Sequence, residues 1–248
     1  MPNFQTSVNA YLAPGVKGGW ASANPHVSLL PPTTGDLADG TNGAWRVGEG
    51  GAIIGNFAFA DVVTGDVTSA HPGTGAMFNA SQAGRIRLGF VQRDQLALIT
   101  EYLGGDTLQL LEGQNVTLLA KGDVWAAFAA GAAVGSFVFA SYATGAPVAG
   151  SSTTAPTTTV TADVTNGSAN LANVSAALAP GQPISGTGIP AGTYVVSYDA
   201  DADTAVMSAN GTATNAGVTI TVSTAALTDF RVDSLAGNGE IAKISVWG

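Results

Sequence analysis

The chain has 248 residues, a formal net charge of −9, and charged side chains at only 10% of positions, against about 25% in an average soluble domain. Eight Lys and Arg in all are too few to track a nucleic-acid backbone, which excludes nucleic-acid partners. The absence of cysteine excludes disulfides, thiolate metal sites and thiol chemistry.

The first twenty residues, "MPNFQTSVNAYLAPGVKGGW", carry no basic start and no apolar core of a signal peptide. Residues 1–50 are rich in Gly, Pro and Asn, and "ANPHVSLLPPTTGD" has three prolines, so this stretch reads as an extended arm and loops. Residues 51–150 read as strands divided by glycine turns. "AIIGNFAFAD" puts Phe57 and Phe59 on one strand face, and turns are expected at Thr64–Gly65–Asp66, Glu112–Gly113 and Lys121–Gly122–Asp123. "FVQRDQLALITEYLGG" fits two patterns: Leu96, Ile99 and Leu103 suit a helix face, while Leu96, Leu98 and Tyr102 suit a strand. A short helix or turn is the expectation there.

No charged residue occurs from Val124 to Ala162. "VWAAFAAGAAVGSFVFASYA" is long enough for a membrane helix and contains a GxxxG at Gly131 and Gly135. Against that, Phe137 and Phe139 flank Val138 in a strand pattern, "YATGAP" reads as a turn, and no Lys or Arg anchors the end. One or two buried strands are expected instead, and no membrane partner.

Residues 151–226 differ from what precedes them. "SSTTAPTTTVTADV" opens like a linker, and no Lys or Arg lies between Ala149 and Phe230. "VTITVS" alternates with Val218, Ile220 and Val222 inward; "TYVVSY" and "TAVMSA" are two strands joined by "DADAD". About half a dozen short strands are expected. The final "GEIAKISVWG" alternates again and regains charge. The expected organisation is a discontinuous domain, 1–150 plus 227–248, carrying an inserted small β-sandwich module over 151–226.

Catalytic and ligand motifs are weak throughout. Gly186, Gly188 and Ala191 match G-x-G-x-x-G/A, but strand formers follow (Thr193, Tyr194, Val195) where a phosphate loop needs a helix N-terminus. Asp199, Asp201 and Asp203 resemble the start of a calcium loop, yet Thr204 and Asn210 stand where such a loop needs Gly and Glu. They are weak metal candidates, better read as a solvated turn. His26 and His71 belong to no zinc motif. There is no G-x-S-x-G, and the acids lie mostly in turns, so no enzyme activity and no cofactor are expected. Arg85, Arg87 and Arg93 form the one basic cluster, read equally as plain solvated residues or as a grip for carboxylates of an acidic partner.

"WASANPHVSLLP", "GFVQRDQLALITEYL", "LLEGQNVTLLAKGDVW" and "GEIAKISVWG", in that order, resemble the structural cement proteins of tailed bacteriophages, with Gln92 where that family commonly has His and Asp94 where it has Glu. "GQPISGTGIPAGTYVVSY" is similar to β-rich modules inserted in phage virion proteins. The resemblance implies an all-β fold, a jelly-roll-like β-barrel with the inserted module and an extended N-terminal arm. It implies a protein of the outer capsid surface, present in the host cytoplasm before assembly, that clamps major capsid protein subunits. It also implies self-association, as a homodimer first and a homotrimer second. Candidate capsid or oligomer contacts are Phe4, Trp20, Asn24, Pro25, Arg85, Arg87 and Arg93. The alternative is a virion-displayed adhesion or glycan-binding β-protein.

Overall fold

The computed structural model describes residues 15–31, 45–77, 84–93 and 108–247. Among them there are twenty strands and no helix, an all-β protein. The first twelve strands are β1 (Val27–Ser28), β2 (Trp45–Val47), β3 (Ala52–Ile53), β4 (Phe57–Asp61), β5 (Asp66–Thr68), β6 (Ile86–Val91), β7 (Gln109–Leu110), β8 (Asn115–Val116), β9 (Leu118–Lys121), β10 (Asp123–Phe128), β11 (Phe137–Ser141) and β12 (Pro147–Gly150). Then come β13 (Thr157–Val164), β14 (Asn170–Ala172), β15 (Ile184–Gly186), β16 (Val195–Asp199), β17 (Thr204–Met207) and β18 (Asn215–Ser223), followed by β19 (Ala225–Val232) and β20 (Glu240–Ser245).

Two curled sheets face each other. One has the order β1-β9-β6-β4-β5-β2-β8, antiparallel except for the β2–β5 pair. The other has the order β10-β20-β19-β11-β12, and its two edge strands curl back toward one another. Phe57, Phe90 and Leu119 from the first sheet meet Val124, Phe128, Phe230 and Ile244 from the second in a shared core. Phe57 packs edge-on against Phe90 at 5.4 Å and Phe230 at 5.6 Å, the geometry that aromatic quadrupoles favour. Ala58 and Ala60 point the other way, into a second core with Trp45, Val67 and Leu118. Strand β4 is therefore buried on both faces, which is why alanines and not polar residues alternate with Phe57 and Phe59.

The charge-free stretch after Val124 forms β10, a glycine turn and β11. No helix of the described residues is long and apolar enough to cross a membrane. The turn gets its shape from Gly131 and Gly135, both at positive φ (74° and 84°).

Strands β13 to β18 form a separate six-stranded sheet, order β15-β18-β13-β14-β17-β16. It wraps on itself: Pro183 bridges Tyr194, and the Ile184 and Val195 amides donate to the Thr193 and Gln182 carbonyls, which joins the first strand to the last. One core fills it, including Val160, Leu171, Met207, Ile220 and Val222. Alternation is clean here because one face of each strand meets solvent: Ile220 and Val222 are buried while Thr219 and Thr221 are exposed. The sheet's entry and exit touch, since the Thr224 amide donates to the Pro156 carbonyl at 2.9 Å. Strand β20 returns to the five-stranded sheet beside β10 and β19.

Candidate functional site

The described part of the arm, 15–31, lies along its own body. Trp20 bridges Val124 antiparallel. The Gly18 amide donates to the Trp125 carbonyl at 2.8 Å, the Trp125 amide to Gly19 at 3.0 Å, and the Ala21 amide to Asp123 at 2.9 Å. Residues 18–21 thus cover the open edge of β10, which would otherwise present unpaired backbone groups. The chain then crosses to β9, where Val27 faces Lys121 and Ser28 faces Leu119.

A buried carboxylate fixes this path. Asp123 Oδ2 accepts from the Ser22 hydroxyl at 2.6 Å and from Asn24 Nδ2 at 2.7 Å, with Lys243 Nζ at 3.3 Å. Burial pushes the Asp123 carboxyl up, but the donors Ser22, Ser245, Asn24 and Lys243 outweigh it and hold the group below the ordinary aspartate value. Lys243 also reaches Asp233 at 3.4 Å, so its charge is shared between two acids.

The corner Lys121–Gly122–Asp123 gathers exposed rings. The Trp20 ring sits 4.3 Å from His26, and Lys121 Nζ lies 5.9 Å from the centre of the Trp247 ring. Gly122 runs directly beneath the Trp20–His26 pair, where a Cβ would stand 3.4 Å from the Trp20 ring. Trp20, Val27 and Trp247 are 39%, 47% and 50% exposed. Indole rings with one open face and a neighbouring cation make a surface suited to protein contact.

The residues singled out from sequence do not form one site. Trp20 and Pro25 are exposed on the arm, and Asn24 spends its amide on Asp123. The Arg93 amide donates to the Gly18 carbonyl, which places it beside the arm. Arg85 belongs to another region: its Nε donates to the buried Asp61 Oδ1 at 2.7 Å, and Thr74 holds the other oxygen. Arg87 lines a cavity of about 300 Å³ between the two facing sheets, together with Asp229, Phe57 and Phe230. Phe4, and the 94–103 segment expected as a helix or turn, lie outside the described residues.

The glycine loop and the aspartates are turns. Gly186 ends β15, Gly188 has φ of 80°, and strand β16 follows, so the loop has no helix dipole to offer a phosphate. Asp199 Oδ1 accepts the amides of Asp201 and Ala202, and Asp203 takes the Tyr198 hydroxyl at 3.3 Å. Among the described residues, no group of three or more His, Asp and Glu could hold a metal.

Two residues of this surface escape sequence reasoning. Asp123 reads as one more turn acid after a glycine, and its role depends on partners 99 and 101 positions away. Trp247 reads as the end of a strand, and its proximity to Lys121 requires the pairing of β10 with β20.

Comparison with known families gives first the class: this is a structural component of a bacteriophage capsid, and so of the virion. The chain belongs to the XM1 gp53 minor capsid protein family, whose model matches residues 4–178, about seven-tenths of its length. The matched span includes the arm and runs into the wrapped sheet as far as Leu178. No curated protein matches the chain.

Proposed function

We propose that this capsid protein is a non-enzymatic cement: it binds the outer surface of the shell and stabilises joints between major capsid protein subunits. The domain formed by 1–150 plus 227–248 is the capsid-binding part, and 151–226 is an inserted module facing away from the shell. Self-association, as a dimer first and a trimer second, would let one molecule bridge more than one subunit.

The observation that carries this reading is the Trp20–Trp247 surface at the Lys121–Asp123 corner. Tryptophans of this kind dominate binding energy when a partner covers them. A protein that binds the assembled shell and not the free subunit shifts assembly toward the shell by mass action. The low charge suits the role, since interface cores are poor in Lys and Glu.

Removing residues 1–25 is a blunt test, because it also strips the cover from β10 and two donors from Asp123. The cleaner perturbation is the double substitution Trp20→Ser with Trp247→Ser, which leaves those backbone and carboxylate bonds in place. Co-sedimentation with capsids lacking this protein should fall by at least about tenfold while the circular dichroism spectrum stays unchanged. Undiminished co-sedimentation of the folded double variant would refute the assignment of this surface.

A further inference from the structure

Between the wrapped sheet and the body lies a joint built around one histidine. His71 is 1% exposed. Its ring stands 5.1 Å from Phe59 and 5.8 Å from Tyr142. Gly181 of the wrapped sheet closes the box: a Cβ there would overlap the imidazole, and Gly181 has φ of 80°, so glycine is required twice over. His71 Nδ1 accepts the Gly73 amide at 3.0 Å. This places the ring proton on Nε2, which has no hydrogen-bond partner. Gly73 in turn abuts the Val196 carbonyl and Pro180, where a Cβ would overlap the carbonyl oxygen. Ala179 packs on the cluster of Phe59, Ile86, Tyr142 and Ala226.

We propose that this joint is an acid-opened latch: protonation of His71 releases the Ala179–Gly181 turn and frees the 157–223 sheet to swing on its two connections, 151–156 and Thr224.

The chemistry follows from the bond that holds the ring. A second proton must go to Nδ1, the atom that accepts from Gly73. Two N–H groups would then face each other across 3.0 Å, and an imidazolium would be buried with no acceptor for either N–H. The 71–73 loop must move, and Gly73 and the imidazole are what Pro180 and Gly181 of the turn rest on. Burial accordingly pushes the imidazole down to about 4, with Asp61 opposing the shift.

The ionisable groups around His71 do not outweigh its burial. Asp61 is committed to Arg85, Thr74 and the Val63 amide. Burial holds the Tyr142 phenol up at about 12, so it stays neutral. Glu49 and Asp66 line the same cavity of about 430 Å³ as His71, Asp61 and Arg85. From the other side the latch offers Ala179, Pro180, Gly181 and Val196, none of them charged. Opening exposes the ring, whose ordinary value is 6.5. Acid therefore favours the open form as pH falls from 6.5 toward 4.

The test is amide hydrogen exchange by mass spectrometry on the full chain at pH 7.5 and 4.5, corrected for intrinsic exchange. Linkage between the closed and open values gives an increase in opening on the order of 50-fold for peptides covering 71–75 and 179–184. Peptides from β10, β13, β18 and β20 should stay protected. His71→Asn keeps an acceptor two residues before Gly73 but cannot take the proton; its latch peptides should show no pH response. Gly181→Ala should open the latch at both pH values. The proposal is overturned if wild-type latch peptides do not respond, if His71→Asn responds as strongly as wild type, or if the sheets lose protection together with the latch.

Discussion

Asp123→Ala should unzip the arm without unfolding the body. The carboxylate accepts two hydrogen bonds from the arm, from Ser22 at 2.6 Å and from Asn24 at 2.7 Å. Bonds to a charged acceptor contribute about 1.5–3 kcal/mol each. Ser22 and Asn24 can turn to water once released, so the lower figure applies and the expected loss is about 3 kcal/mol. Lys243 keeps Asp233 at 3.4 Å and is not left as an uncompensated charge. The most local readout is the Ala21 amide, which donates to the Asp123 backbone carbonyl. Its exchange by NMR should accelerate roughly 100-fold if the arm opens as a unit, at 1.4 kcal/mol per tenfold. The sign with pH is also fixed. The folded Asp123 carboxyl lies below its ordinary 3.8, so its contribution is complete above that value and is lost as pH falls through the lower folded one. Wild type and variant should differ by a constant amount from pH 5 to 8 and converge in strong acid. Unchanged Ala21 exchange at pH 7 in Asp123→Ala would refute the anchoring role.

Two further substitutions probe other parts of the fold. Leu171→Ala removes a fully buried side chain from the core of the wrapped sheet and should cost about 3 kcal/mol; if 151–226 is a separate module, calorimetry will show its transition lowered and that of the body unmoved. Gly145 has φ of 65°, its carbonyl accepts the Phe57 amide at 2.8 Å, and an added Cβ would overlap the Phe57 carbonyl; Gly145→Ala should therefore cost at least about 2 kcal/mol, read as a lower urea midpoint at unchanged slope.

What sequence could reveal here depended on how local the physics was. The alternation of Val218, Ile220 and Val222 marks β18 directly because one face of that strand meets solvent. Glycine turns at Gly65 and Gly113 were equally plain, and both residues have positive φ. Strand β4 was legible from Phe57 and Phe59 on one face, but the burial of its alanine face was not. Pairing was invisible: nothing near Arg46 announces its parallel neighbour Asp66, and nothing near Val27 announces Lys121. The proposed contact surface was half legible. Trp20 stood out as a ring on a proline-rich arm, but Trp247 joins it only after β20 has returned beside β10. His71 looked like an idle histidine next to proline; its environment is made by Phe59, Tyr142 and Gly181, which the fold brings from three separate segments.

The meeting of Pro156 and Thr224 has a consequence for how such a chain can change. To the body's sheet, where β12 and β19 run parallel on either side of β11, the whole stretch between those two residues is a side excursion of one crossover. Deleting it would require only a tight turn in its place, since the ends are already within hydrogen-bonding distance and a short loop closes at little entropic cost. A different cassette with neighbouring termini could be spliced in at the same point without disturbing the register of β11, β12 and β19. The joint thus works as a socket, and the glycine at 181 is the part of the present cassette cut to fit the histidine beneath it.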